Sequence, residues 1–172
     1  MAEATTHEFR IEPLGKHRDR AAFSCNVESL DRYLKTQASQ DMRRKANAVF
    51  VMVKSDVPTK IVGYVMLCAC ALGQGSVPGE ARKLIPRYPL VSAILIGRLA
   101  VDKDHQGQGV GAALLARALR QAYESASAVG SSMVVVDAID ERAARFYAAH
   151  GFIRLLDSMR LILPMQVIDD LV

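Results

Sequence analysis

The 172-residue chain has only three cysteines, Cys25, Cys68 and Cys70, which cannot all pair with one another. Cys68 and Cys70 stand two apart in an apolar run, so on a strand they share a face. No His or Cys partners at metal spacing accompany them. They read as buried small hydrophobes rather than as a disulfide or a metal centre, and no metal is expected. No apolar run is long enough to span a bilayer. The first residues, "MAEATTHEFR", have no basic start followed by an apolar stretch, so no secretory signal is read there. The expectation is a cytoplasmic protein with no membrane association. Repeats, linkers and low-complexity segments are also missing, as is any aromatic-rich platform for stacking bases.

Size and composition then favour one domain spanning residues 1–172. Half the residues are hydrophobic, enough for a full core, and the net charge is +4 with a pI near 9.1. A moderate basic excess is compatible with a phosphorylated cofactor, a polyanionic partner or plain solubility.

The hydrophobic pattern gives a succession of elements. Residues 7–14 alternate as a strand. Residues 26–44 repeat Val27, Leu30, Leu34 and Ala38 at helical spacing, with Asn26 placed to cap the start. Strands are expected over 48–54, 61–72 and 91–101, with 55–59 as a turn and 73–90 as a loop holding one short helical turn. The run 61–72 is apolar on both faces and therefore central. A helix follows over 109–125, a short buried strand over 132–139, a helix over 140–150 stopped by Gly151, and one or two strands over 152–165. Mixed elements with short connections indicate an α+β domain built in α/β layers.

"DHQGQGVGAALLARAL", residues 104–119, carries Gly107, Gly109 and Gly111 between a strand and a helix. The first turn of a helix presents unpaired N–H groups and the positive end of the helix dipole, a ready anion site. Glycine lets the backbone approach a ligand with no Cβ in the way. A nucleoside-triphosphate P-loop needs Lys-Ser/Thr after its last glycine, and here Ala112 and Ala113 follow. The dinucleotide fingerprint needs G-x-G-x-x-G, and here the third glycine comes one place early.

The spacing Gln106-x-x-Gly109-x-Gly111, with "GRLAV" before it and "RFYAAHGF" after it, resembles the GNAT family of acyl-CoA N-acyltransferases over about residues 48–163. The resemblance implies a mixed central sheet splayed in the middle, with flanking helices. It implies acetyl-CoA as co-substrate. The pantetheine arm would lie on the backbone of Leu99, Ala100 and Val101. The pyrophosphate would lie on the N–H groups of Gln106, Gly107, Gln108, Gly109, Val110, Gly111 and Ala112, with Asp137 and Tyr147 completing the cofactor site. The Tyr of the "FY" pair, Tyr147, would protonate the departing thiolate. A backbone N–H near Val101 would stabilise the oxyanion. Phe146 is read as the core residue of the pair, because it shares a helix face with Ala143.

Transfer to an amine requires the amine neutral. "AILIGRLAV" holds no carboxylate to act as base, and Asp102 and Asp104 lie past the strand end. A lysine amine, with pKa near 10.4, is almost wholly protonated at neutral pH, whereas an α-amine near 7.7–8.0 is appreciably neutral. A site without a base suits an α-amine, above all that of an aminoacyl ester. Asp137 or a water held by a backbone carbonyl remains an alternative base.

Residues 23–53 also resemble the acetyltransferase toxins of bacterial toxin–antitoxin modules, through Phe23, Cys25, Leu30, Asp31, Tyr33 and Leu34. Asn26 stands where that branch commonly has Gly. The resemblance implies acetylation of the α-amine on aminoacyl-tRNA and arrest of translation. It also implies an antitoxin partner, of ribbon-helix-helix type, and a homodimer. Arg43, Arg44, Lys45, Arg82, Lys83 and Arg98 are then the candidate RNA contacts, with Arg87, Arg117 and Arg120 adding to the charge, since phosphate neutralisation works by number. The alternative is an acetyltransferase of a protein N-terminus or a small amine.

Overall fold

The structure, a computed structural model, describes residues 9–16 and 18–171. His7 and Glu8, the start of the first expected strand, lie outside them. Among the described residues there are seven strands: β1 (Phe9–Pro13), β2 (Ala48–Lys54), β3 (Val57–Gly73), β4 (Leu90–Val101), β5 (Met133–Asp137), β6 (Ile153–Arg154) and β7 (Arg160–Pro164). Their order is β1-β2-β3-β4-β5-β7-β6. β4 and β5 run parallel, while β1 with β2, β5 with β7 and β6 with β7 run antiparallel, so the sheet is mixed. The chain divides into two compact units, Met1–Met66 with Arg98–Arg117, and Leu67–Gly97 with Ala118–Val172.

In the first unit β1 pairs with β2 from Phe9↔Lys54 to Pro13↔Phe50. Val49, Val51 and Val53 are buried, and β-branched residues suit a pleated, packed surface. The expected first helix is α1 (Glu28–Arg32), a π-helical turn (Tyr33–Gln37) and α2 (Ala38–Arg43). Leu34 and Ala38 are fully buried, as their spacing predicts. Asn26 does not cap. The residue before α1 is Val27, without a side-chain cap, and Asn26 sits at φ 67°, a left-handed turn that Asn tolerates. The carboxylate of Asp31 does the anchoring instead, accepting from the Cys25 N–H at 2.9 Å and the Ser24 hydroxyl at 3.3 Å. β3 begins at Val57, inside the segment expected to be a turn. Gly63 on β3 is set by a close approach: a Cβ there would lie 2.6 Å from Leu114 Cδ1 and 3.0 Å from the Ala100 carbonyl oxygen.

In the second unit β4 pairs with β5 from Ala93↔Met133 to Ile96↔Val136, and that ladder ends there. β4 itself runs on to Val101, so its last five residues lack β5 as a neighbour. Leu72, Val77, Ala81, Ile85, Val91, Met133, Val135, Leu155 and Ile162 form a buried cluster. Each fully buried Val, Leu or Ile contributes about 1.5–3 kcal/mol. The 73–90 segment supplies part of that cluster through the short α3 (Gly79–Arg82). Cys68 and Cys70 are half-buried rather than buried, because the burial pattern of β3 turns alternating after Leu67; Cys25 is buried.

Helix α4 (Val110–Ala126) starts in the first unit and ends in the second. α5 (Glu141–Ala149) is capped by Asp140, whose side chain accepts from the Ala143 N–H at 2.8 Å. Gly151 stops it at φ 93°, as expected. α6 (Met165–Asp169), five residues behind Pro164, has no counterpart among the expected elements. No helix among the described residues is long and apolar enough to cross a membrane.

Candidate active site

The chain leaves β4 at Val101 and enters a turn whose polar groups are tied down one by one. The Asp102 N–H donates to the Val62 carbonyl at 2.9 Å, and the Lys103 N–H to the Ser24 carbonyl at 2.7 Å. The Asp102 carboxylate is buried. It accepts from the Ser24 N–H at 3.3 Å and the Asp104 N–H at 3.2 Å, and faces Nδ1 of the buried His105 at 3.2 Å. This cap closes the single 3-10 turn Lys103–His105. Asp102 is therefore a structural acid rather than a free base.

Gln106 then turns its side chain inward. Its Nε2 donates to the Val101 carbonyl at 3.1 Å and to the Cys25 carbonyl at 3.2 Å. The Gln108 amide donates to the Asp104 carbonyl at 3.3 Å. The side chains thus brace the turn and leave its backbone outermost. Gly107 and Gly109 sit at φ 76° and 81°, where L-residues are strained, and open space lies where a Cβ would stand. The first bond of α4 is from the Ala113 N–H to the Gly109 carbonyl at 3.1 Å. The N–H groups of Gly109, Val110, Gly111 and Ala112 consequently have no acceptor within the helix. A backbone without side chains in the way, at the positive end of a 17-residue helix, fits a pyrophosphate.

Tyr147 belongs to the second unit. It is buried on α5, 7% exposed, with Ala144 one turn before it on the same buried face. Phe146 is the less buried of the pair, which corrects the expected assignment. The face of α5 that packs inward carries Ala144 and Tyr147, while Phe146 sits against the exposed His150, ring centroids 4.6 Å apart. The Tyr147 ring meets Phe146 at 5.2 Å and Phe152 at 5.6 Å, both edge-on. Gly151 makes this possible by turning the chain back so that Phe152 N–H reaches the Tyr147 carbonyl at 3.2 Å. Burial pushes the Tyr147 phenol up to about 12, with no charge or hydrogen bond contributing.

Asp137 lies at the end of β5 and is engaged by Arg160 across the ladder, at 2.7 and 2.9 Å in a two-pronged pair. Its carboxylate is committed to that cation, which weakens the alternative that it takes the amine's proton. Among the candidate RNA contacts, Arg43, Arg44, Lys45 and Lys83 are exposed. Arg82 spends its guanidinium on the Val77 and Gly75 carbonyls at 2.8 and 3.0 Å, bracing its own loop. Arg98 is half-buried and lies over the ring of Tyr33, 3.9 Å from its centroid. Arg120 lies 3.8 Å from Glu124. Among the described residues no cluster of His, Cys, Asp and Glu could hold a metal ion.

A strand leading through a glycine turn into the exposed N-terminus of a 17-residue helix is the arrangement that the acyl-CoA transferase resemblance implies. Residues 45–154 match the model of the acetyltransferase (GNAT) domain, and the chain belongs to that family. It is 31% identical over 149 residues to the tRNA-acetylating toxin of Mycobacterium tuberculosis (strain ATCC 25618 / H37Rv), covering 86% of this chain and 87% of that one. Its fold matches the solved structure of AtaT complexed with acetyl-methionyl-tRNAfMet, with a TM-score of 0.87, 30% identity and coverage of 95% and 99% of the two chains. It also matches a tyrosine-to-phenylalanine mutant of the AtaT toxin bound to the C-terminus of the antitoxin AtaR and acetyl-CoA, with a TM-score of 0.80, 28% identity and coverage of 95% and 97%.

Proposed function

We propose that this chain, acting as one domain over residues 1–172, is a toxin of a toxin–antitoxin module that transfers acetyl from acetyl-CoA to the α-amine of aminoacyl-tRNA and so blocks translation. The observation that carries the reading is the likeness, over nearly the whole of both chains, to a toxin solved with an acetylated aminoacyl-tRNA. The glycine turn supports it through its outward N–H groups, and β4 supports it by carrying no carboxylate between Ala93 and Val101.

Acetyl-CoA, when bound, supplies an activated thioester carbonyl. The N–H groups of Gln106 to Ala112 would hold its pyrophosphate, and the backbone of Leu99, Ala100 and Val101 would hold its arm. A backbone N–H near Val101 donates to the oxygen on which negative charge develops. Tyr147 keeps its proton at neutral pH and would give it to the thiolate leaving group. The phenol is protonated at neutral pH even at its ordinary pKa near 10, and burial holds it above that range. Water held by a backbone carbonyl accepts the amine's proton. Arg43, Arg44, Lys45 and Lys83 draw the RNA backbone, and Arg82 adds charge from its fixed position. An antitoxin of ribbon-helix-helix type neutralises the protein, which is a homodimer in the cytoplasm.

The test is acceptor choice. Purified protein with radiolabelled acetyl-CoA is given charged tRNA, the same tRNA deacylated, an N-terminal peptide and a free amino acid. Label is expected in charged tRNA alone, with a KM that rises steeply with salt. Label in peptide or free amine, with charged tRNA untouched, replaces this reading by an acetyltransferase of protein N-termini or small amines.

A further inference from the structure

We propose that Arg98 is a specificity-determining residue of the acceptor site, whose fixed positive charge disfavours ammonium groups and selects an amine that is already neutral. The proposal rests on the acyltransferase reading above and explains how β4 can dispense with a base.

Four observations carry it. Arg98 lies on the five-residue run of β4 beyond its ladder with β5, one residue before Leu99 and three before Val101. A rise of about 3.3 Å per residue puts its backbone within about 10 Å of the whole run that would hold the acyl arm. Its guanidinium lies over Tyr33, 3.9 Å from the ring centroid. Stacking occupies the face of the group and leaves its N–H edge available. Tyr33 is an anchored platform: its hydroxyl donates to Asp41 at 3.1 Å and accepts from Asn47 at 2.8 Å, and Asn47 also donates to Asp41 at 3.0 Å. The π-helical turn that begins at Tyr33 is a rare winding, frequent at functional sites.

The groups around Arg98 are Tyr33 from the π turn, Asp41 from α2 and Tyr64 from β3, with Cys25 and Asp31 also acting on Tyr64. Asp41 is the opposing charge that feels it. Its oxygens are taken by Gln37, Tyr33 and Asn47. Hydrogen bonds from Gln37, Tyr33 and Asn47 hold the Asp41 carboxyl below its usual range, with Arg98 adding a smaller pull, and Arg98 offsets part of the upward push that burial gives Tyr33 and Tyr64. An acceptor amine on that run, about 10 Å from the cation, would have its pKa lowered by up to about one unit, the Asp41 carboxylate offsetting part of the effect. A lysine amine lowered by that much stays protonated at neutral pH, whereas an α-amine becomes mostly neutral. The charge therefore sharpens the discrimination that the missing base begins.

The experiment compares wild type, Arg98→Met and Arg98→Lys as the pH profile of kcat/KM on charged tRNA. In wild type the rate rises with pH as the amine loses its proton. Arg98→Met is expected to move that rise up by about one unit, losing up to about tenfold at pH 6 and recovering most of it by pH 9. Arg98→Lys, which keeps the charge and loses the flat stack, is expected to keep the wild-type midpoint. A loss by the same factor at every pH, or a Lys variant no closer to wild type than the Met variant, overturns the proposal. Wild type carries a second test that needs no variant to fold. An α-hydroxyacyl-tRNA has no amine to titrate, and is expected to compete with aminoacyl-tRNA better at pH 6 than at pH 8.5; equal competition at both overturns the proposal. Absence of wild-type acetylation of charged tRNA removes the acyltransferase reading and this inference with it, whereas acetylation with an unshifted Met profile removes the role of Arg98 alone.

Discussion

The glycine turn and the α5 tyrosine, the cofactor cradle and the proton donor of the proposed mechanism, are held by opposite means. In the turn the polar side chains are hydrogen-bonded inward: Asp102 to Ser24 and Asp104, Gln106 to Val101 and Cys25, Gln108 to Asp104. What remains for a ligand is backbone. Tyr147 is the reverse case, a polar side chain set against Phe146 and Phe152 and tuned by desolvation alone. A binding cradle must hold its shape, so it is wired. The proton donor of the proposed mechanism lies instead in an apolar setting, which keeps water from the transfer and raises its pKa. Substitutions in the two places should therefore fail differently, one in stability and cofactor affinity, the other in rate.

The largest effect is expected at Tyr147. Tyr147→Phe keeps the ring and its packing and removes the proton, so kcat on charged tRNA should fall about 10²–10³-fold. Thermal stability at pH 7 should stay within a few degrees, measured by calorimetry. The phenol's folded pKa is raised above its unfolded value near 10, so the neutral form is the one the fold favours. Its contribution is complete below pH 10 and is lost as pH rises from about 10 to about 12. Wild type should lose unfolding temperature faster than the Phe variant across that interval, and parallel curves would show that Tyr147 is not the group held dry.

Asp102→Ala is the matching break on the wired side. It removes the acceptor of the partly buried Ser24 and Asp104 N–H groups and the partner of the buried His105 ring, and a polar group left unsatisfied away from water costs about 1–3 kcal/mol. Urea unfolding should show a loss of about 3 kcal/mol. The KM for acetyl-CoA should rise several-fold with kcat little changed, because the turn loosens while Tyr147 is untouched. A collapse of kcat at constant KM would mean that Asp102 takes part in the chemistry.

The difference between the regions also explains what can be read in advance. Strands β2 and β4 match their expected bounds within a residue, because Val- and Ile-rich runs between breakers leave little choice. The glycine turn is legible from spacing, since Gly107 and Gly109 adopt the left-handed backbone that their residue type anticipates. The bracing is not. Asp102 contacts Ser24 across 78 positions of sequence, and Gln106 contacts Cys25 across 81, separations to which local pattern is blind. Phe146 and Tyr147 exchange their expected places for a related reason. On a nine-residue helix both lie near the apolar stripe, and which one goes inward depends on where Gly151 returns the chain. Asn26 has a good capping residue type in the wrong conformation. Arg98 reads in the sequence as one more cation, and only the fold puts Tyr33 beneath it.

The smallest effect tests the cradle's backbone by itself. Gly109 holds φ 81° with open space around the place of a Cβ, so Gly109→Ala meets no neighbour and is strained only through its dihedral angle. A left-handed L-residue costs roughly 1–2 kcal/mol. Urea unfolding should register a loss of that size, less than for Asp102→Ala. The methyl group projects into the space an anion would use, so the KM for acetyl-CoA should rise more than the stability loss accounts for. The pH profile set by the acceptor amine should be unchanged, because neither Arg98 nor Tyr147 is altered. A stability loss with unchanged KM would mean that the open face of Gly109 is not where the pyrophosphate lies, and would move the cradle toward the N–H groups of Val110 to Ala112.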